Sequence, residues 1–315
     1  MARRKLGKTG FEIAPLVLGG NVFGWTVDEP TSFALLDAFV AAGFNMIDTA
    51  DVYSVWAPGN KGGESETVIG NWLKRRGRRD EVIVATKVGW ELSPTHKGLA
   101  KEYIISEVET SLRRLQTDYI DLYQSHIDDP KTPVQETLEA HAKLIRQGKV
   151  RAIGASNFGV ARLKEALEVS KMHDLPRYQV LQPLYNLSDR REFETELESV
   201  CVKQGLGVIT YFSLASGFLT GKYRSAKDLE GRARSGEVKK HINPRGLKIL
   251  EGLDEVAARL DSKQGQVALA WLLARPSVTA PIASATNLAQ LADMIAATEI
   301  TLDRDAIDTL NQASA

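Results

Sequence analysis

Eight short runs rich in β-branched and other apolar residues punctuate this chain, at 16–18, 45–48, 82–86, 120–124, 150–154, 180–184, 207–211 and 278–282. Each of the first seven is followed, after a loop, by a stretch of helical period, and the eighth leads into 288–298. Such alternation is the signature of βαβ units and a parallel sheet. Eight strand–helix repeats in ~300 residues are the count of a (β/α)8 TIM barrel. An open, doubly wound sheet is the competing architecture, but it carries a Gly-rich fingerprint after its first strand. Here LGGNVFGW (18–25) follows that strand, without GxGxxG spacing and without leading straight into a helix.

Local signals fill in the repeat. The clearest helix is 133–146, for which Thr132 is the expected N-cap, Pro133 the first position and Gln135 the partner in a capping box, with Gly148 as the terminating glycine. Its apolar residues Val134, Leu138, Ala142 and Ile145 form one stripe, as do Ile104, Val108, Leu112 and Leu115 in the helix before. Lys5-Leu6 and Phe11-Glu12-Ile13 flank GKTG (7–10), which predicts an N-terminal β-hairpin able to plug one end of a barrel. Residues 303–312 predict an extra C-terminal helix. No Ser/Pro/Gly-rich linker divides the chain, so one domain over residues 1–315 is expected. The stretch 220–244, rich in Lys and Arg, reads as an irregular loop over a site.

Composition narrows the partners. Forty Lys and Arg balance forty Asp and Glu, so no global field holds nucleic acid or an anionic membrane surface. The single cysteine, Cys201, allows neither an intramolecular disulfide nor a Cys-rich metal framework, so no metal is expected and a reducing compartment is the default. The basic start MARRK is not followed by an apolar segment, and the longest apolar run, 267–274, is eight residues, against ~18 for a bilayer span. These features predict a soluble, cytoplasmic protein with a small-molecule substrate; they say nothing of its oligomeric state.

In a barrel the site lies at the C-terminal mouth, so the informative residues are the polar ones that follow each apolar run. They are Asp48, Lys87, His126, Ser156-Asn157, Gln182 and Tyr211. An ammonium drawn into a barrel mouth is costly unless a carboxylate pairs with it, and Asp48 is the candidate for Lys87. Tyr53 lies on the loop after Asp48, and a phenol becomes a usable acid near neutral pH if a cation stabilises its phenolate. The four residues therefore suggest a proton-donating device: Tyr53 as donor, Lys87 expected to lower its pKa, Asp48 holding Lys87, and His126 hydrogen-bonding the substrate oxygen.

The segments NMIDTADVYS (45–54), VIVATKVGW (82–90), TDYIDLYQSH (117–126), AIGASNF (152–158) and SGFLTGKY (216–223) resemble the aldo-keto reductases, in order and over nearly the whole chain. Asp48, Tyr53, Lys87 and His126 match that family's catalytic tetrad. The resemblance implies NADP(H) bound across the barrel mouth, with NAD(H) as the alternative, and hydride transfer between the nicotinamide and an aldehyde or ketone. It implies that Ser156, Asn157 and Gln182 hold the carboxamide and that Tyr211 stacks on the nicotinamide ring. It also implies that Phe212, Ser213, Leu214, Gly217 and Leu219 wrap the pyrophosphate with Lys222 as counter-charge. The adenosine segment PIASATNLAQLADM (281–294) departs from the family pattern: Ser284, Thr286 and Gln290 are uncharged, and Met294 stands where the family has Asn. A 2′-phosphate would then be met by Thr286 and by Arg232 or Arg234. Asn21, Phe23, Trp25, Trp56 and Trp90 fall in loops after the first three strands and are candidates for an aromatic substrate pocket, Asn21, Trp25 and Trp90 foremost. Two other functions fit parts of this pattern: a Schiff-base lyase acting through Lys87, and a cofactor-binding regulatory protein like the channel-associated members of the family.

Overall fold

The computed structural model describes residues 2–231 and 234–315. Strands β1 (Arg4–Lys5) and β2 (Glu12–Ile13) pair antiparallel as the expected hairpin. The barrel strands follow in chain order: β3 (Val17–Gly19), β4 (Met46–Asp48), β5 (Ile83–Val88), β6 (Ile120–Ser125), β7 (Val150–Ser156), β8 (Val180–Gln182), β9 (Gly207–Thr210) and β10 (Ala280–Ala283). They close as an all-parallel ring in the order β10-β3-β4-β5-β6-β7-β8-β9. All eight sequence runs are barrel strands, which makes this a (β/α)8 TIM barrel rather than an open sheet.

The helices between strands are α1 (Glu29–Ala41), α2 (Glu64–Arg76), α3 (Lys101–Leu115), α4 (Val134–Arg146), α5 (Val160–Met172) and α6 (Glu198–Gln204), the last continuing a π-helical segment, Phe193–Leu197. Between β9 and β10 lie α7 (Ser235–Lys239), α8 (Pro244–Arg259) and α9 (Gln264–Leu273); after β10 come α10 (Leu288–Ala297) and α11 (Arg304–Ala313), the expected C-terminal helix, capped by Asp303. The described residues of the 220–244 stretch are more ordered than its composition suggested. They hold a 3₁₀ turn, Ala226–Leu229, with a Ser225–Asp228 capping box, and all of α7. Elements of four or five residues are too short to show a period, which is why they read as loop.

Two apolar layers hold the barrel. Inside it, Val17, Met46, Ala85, Leu122, Ala152, Val180, Ile209, Ala280 and Ile282 pack together with Leu6 and Ile13 of the hairpin, which thus plugs the lower end. Outside it, the stripes of α3 and α4 and their counterparts cover the outward faces of the strands. The expected capping box of α4 does not form. Thr132 Oγ1 donates to Asp129 Oδ2 at 2.6 Å, and Gln135 Nε2 to Glu139, while Pro133 stands at the N-cap without a side-chain cap. Asp129 also accepts from the Leu99 amide (2.9 Å), so the Thr132 hydroxyl is drawn to a carboxylate that ties this turn to the segment before α3. Gly148 (φ +74°) ends the helix as expected. Among the described residues no helix is long and apolar enough to cross a membrane.

Candidate active site

Strand parity builds the site. Alternate residues of a strand point to one face, so the inward residues Met46, Ala85, Val180, Ile209 and Ile282 are each followed two positions on by Asp48, Lys87, Gln182, Tyr211 and Ser284. In the same way Val17, Leu122 and Ala152 are followed four positions on by Asn21, His126 and Ser156. The apolar barrel core thus changes to a polar layer at the mouth. Gln124, on the same parity, sits opposite Lys87 in the ladder. Room for it comes from Gly154, where a Cβ would lie 3.1 Å from Gln124 Cγ.

Lys87 and Asp48 are almost completely buried. Lys87 Nζ donates to Asp48 Oδ2 (2.7 Å), to the Thr49 carbonyl (2.8 Å) and to the Tyr53 hydroxyl (2.8 Å), so all three ammonium hydrogens are engaged. Tyr53 Oη in turn lies 3.4 Å from Asp48 Oδ2. The other carboxylate oxygen, Oδ1, accepts from Gln182 Nε2 (2.9 Å) and Gln124 Nε2 (3.3 Å). His126 stands beside them, its ring centroid 6.0 Å from that of Tyr53 and 5.1 Å from that of Trp90, and its buried Nδ1 has no hydrogen-bond partner.

The electrostatics differ from the expected arrangement in one respect. Burial pushes the Tyr53 phenol well above its ordinary pKa, and the Asp48 carboxylate, both as a charge and as a hydrogen-bond acceptor, adds to that. The net direction is upward even with the Lys87 ammonium 2.8 Å from the hydroxyl. Tyr53 therefore keeps its proton in the resting site. Burial also lowers the Lys87 pKa, opposed first by Asp48 and then by Asp51 and Glu66. His126 is pushed well below its usual range by burial and by Lys87, so its imidazole is neutral.

Behind Lys87 lies an acidic cluster that the sequence reading did not single out. Asp51 is fully buried with neither carboxylate oxygen hydrogen-bonded, and burial together with Glu66 and Glu107 raises its pKa well above normal. Glu66 accepts from Thr86 Oγ1 (2.6 Å) and Arg114 (3.1 Å). Gln124 carried a readable signal, a polar residue at an inward position of an apolar run. Asp51 carried none, since it lies in a loop whose side chains have no fixed parity.

The remaining expected residues divide. Tyr211 Oη donates to Asn157 Oδ1 (2.7 Å), Asn157 Nδ2 donates to the His126 carbonyl (2.9 Å), and Ser156 Oγ to the Gln182 carbonyl (2.9 Å), so these four stand together above β7 to β9. After Tyr211 the chain runs through left-handed residues Phe212 (φ +51°), Ala215 (+47°), Ser216 (+57°) and Gly217 (+95°). The Ala215 and Gly217 amides turn back to the Phe212 and Leu214 carbonyls (2.7 and 2.9 Å), and tight turns of this conformation are where backbone concavities suited to an anion form. Within this loop Ser213 Oγ bonds the Thr210 carbonyl and Leu219 is buried, whereas Leu214 is half-buried and Lys222 is exposed beside Gly217. A nicotinamide dinucleotide thus fits here: mixed amide and hydroxyl donors and acceptors, a half-exposed aromatic ring, and an anion cradle.

The adenosine segment fits less well. The Thr286 amide and hydroxyl both donate to Gln290 Oε1 (2.9 and 3.1 Å), and Met294 is buried. Ser284 Oγ donates to Asn21 Oδ1 (2.7 Å), which ties Asn21 to the loop after β10. Arg232 lies outside the described residues. Arg234 stands over Trp25, its guanidinium carbon 5.5 Å from the ring centroid. Trp25 meets Trp56 edge-on at 5.6 Å, and Trp56 lies 6.0 Å from Tyr53. Phe23 is fully buried, part of the core and not of the pocket, whereas Trp56 and Trp90 remain 46% and 40% exposed at the mouth.

Comparison with known proteins agrees with this geometry. The chain is 37% identical to the uncharacterized oxidoreductase YrpG of Bacillus subtilis (strain 168), over 97% of this chain and 94% of that protein. It is 32% identical to the aldo-keto reductase YhdN of the same organism, over 97% and 91%. It is 33% identical to a probable voltage-gated potassium channel subunit beta of Oryza sativa subsp. japonica, over 95% and 92%. The pattern of the Aldo/keto reductase family matches residues 15–315, and on that coverage the chain belongs to this family of oxidoreductases.

Proposed function

We propose that the protein reduces an aldehyde or ketone to the alcohol, or runs the reverse reaction, with Tyr53 as the proton donor and NADP(H) as cofactor. The observation that carries the reading is the position of Lys87 Nζ, hydrogen-bonded at once to the Tyr53 hydroxyl and the Asp48 carboxylate at the mouth of the barrel. Ser156, Asn157, Gln182 and Tyr211 would hold the nicotinamide end, and the loop from Phe212 to Lys222 the phosphates. When bound, the cofactor supplies the hydride.

The chain's own residues manage the proton. The Tyr53 hydroxyl, kept protonated by burial, gives its hydrogen to the carbonyl oxygen as that oxygen gains negative charge. The phenolate left behind faces the Lys87 ammonium at 2.8 Å, and Asp48 holds that ammonium in place. His126, neutral at physiological pH, offers a ring N–H to the same oxygen without competing as an acid. General acid catalysis of this kind contributes ~10²–10⁴ in rate. A Schiff-base lyase is disfavoured because every N–H of Lys87 is engaged, and a carbonyl could reach Nζ only by breaking the buried pair with Asp48. The relative named as a channel subunit leaves a purely regulatory role as the second reading. A panel of aldehydes, ketones and alcohols run with NADPH and NADH, following nicotinamide absorbance, separates the two: turnover supports the reductase, and tight cofactor binding without turnover supports the regulator. Preference for NADH in that panel would mean that the uncharged 284–294 segment sets cofactor choice.

A further inference from the structure

Arg234 reaches the mouth from the long connection after β9 and stands over the Trp25 indole, which meets Trp56, which in turn lies beside Tyr53. Among the described residues its guanidinium has no hydrogen-bond or ion-pair partner. Glu237, the neighbouring carboxylate, accepts instead from Ser216 Oγ at 2.7 Å. A partly buried guanidinium with five donors and no acceptor is an unfavourable arrangement that an anion would relieve. The positive charge is felt at the reaction centre, where Arg234 opposes the rise in the Tyr53 pKa. The loop's other cation near the cradle, Lys222, sits against Gly217. The mouth thus presents a proton donor at its floor, aromatic walls from Trp25, Trp56 and Trp90, and the Arg234 guanidinium at its edge.

We propose that Arg234 anchors a carboxylate on the substrate, so that the preferred substrates are aromatic or apolar aldehydes or ketones bearing a carboxylate at the end remote from the carbonyl. This rests on the reading of Tyr53 as the proton donor. Guanidinium is suited to the task because its planar fork binds a carboxylate bidentately, and such charge-assisted bonds are the strong kind.

The test compares 4-carboxybenzaldehyde with its neutral methyl ester in the wild type, Arg234→Met and Arg234→Lys. The wild type is expected to favour the carboxylate by about tenfold to a hundredfold in kcat/KM, mainly through KM. In Arg234→Met the ratio between the two compounds should collapse toward one, with partial recovery in Arg234→Lys. Binding of 4-(hydroxymethyl)benzoate, read by quenching of tryptophan fluorescence, should weaken in parallel in Arg234→Met. A wild type without preference for the carboxylate overturns the proposal. So does an Arg234→Met variant that weakens NADPH binding and both substrates equally, which would make Arg234 a cofactor-phosphate ligand. If neither aldehyde turns over, the wider carbonyl and alcohol panel decides the reductase reading, and the fluorescence titration alone decides the anchor: equal binding to wild type and Arg234→Met overturns it.

Discussion

Lys87 and Asp48 form a buried ion pair whose worth lies in what happens when one partner is lost. Removing one member of such a pair leaves an uncompensated buried charge and costs ~3–5 kcal/mol, whereas removing both is far milder. Lys87→Met should therefore destabilise the protein strongly in urea unfolding, and the Asp48→Asn/Lys87→Met double variant should be more stable than that single variant. Both should lose kcat, since the phenolate of Tyr53 then forms without a cation beside it, and the pH–rate profile should change shape. An unchanged profile in Lys87→Met would make the pair structural. At this scale the cluster of Asp48, Tyr53, Lys87 and His126 was legible because each is polar at the end of an apolar run or on the loop beyond it. The direction of the Tyr53 pKa was not, because it is set first by how deeply the phenol is buried and then by its approach to Asp48, both products of tertiary packing.

The elements were legible wherever their period was long enough to show. Strand bounds differ from the apolar runs by one or two residues because strands continue into their polar ends, as β5 does to Val88 and β7 to Ser156. β8 instead stops at Gln182, before Pro183, which has no N–H to offer the ladder. The hairpin's role as a plug makes a prediction. Gly7 and Gly10 both have positive φ (+57° and +83°), but a Cβ at Gly7 would lie 2.3 Å from the Gln179 carbonyl oxygen and 2.6 Å from the Gly207 nitrogen, while one at Gly10 meets nothing. Gly10→Ala should cost ~1–2 kcal/mol for the left-handed conformation alone. Gly7→Ala should cost several kcal/mol more, measured by chemical denaturation, and equal costs would mean that the hairpin does not seat on the barrel floor.

A second element-level prediction concerns β6 and α4. His141 is fully buried against Ser125, whose hydroxyl also meets Tyr178 (2.7 Å), and burial pushes its pKa down to about 4. The unfolded chain, with an ordinary His pKa near ~6.5, then binds more protons than the folded one between these two values. The stability that depends on neutral His141 is present above pH ~6.5 and is lost as the pH falls toward 4, by about 3 kcal/mol at full protonation. His141→Gln should flatten the fall in unfolding free energy over that window. A wild-type slope retained in the variant would assign the acid sensitivity to other groups.

Taken as a whole, the chain shows how a barrel separates stability from chemistry. One face of every strand is apolar below and polar above, so the same period-two pattern specifies the core and the mouth, and both were readable from eight runs and the residues after them. What the pattern could not supply is anything made by residues far apart in sequence on loops. Asp51 and the placement of Arg234 on Trp25 belong to loops with no periodic constraint, and the bond from Ser284 to Asn21 joins the ends of the first and last barrel strands, which no local pattern pairs. The same limit applies to the aromatic residues at the mouth, Trp25, Trp56 and Trp90, which come from three different loops. The central claim, that Tyr53 delivers the proton, is tested most directly by Tyr53→Phe, which removes the hydroxyl and keeps the ring. Steady-state reduction of an aldehyde that the wild type turns over should fall by ~10²–10⁴, while the affinity for NADPH, titrated directly, stays close to that of the wild type. Activity within a fewfold of wild type, with cofactor binding intact, would contradict the account.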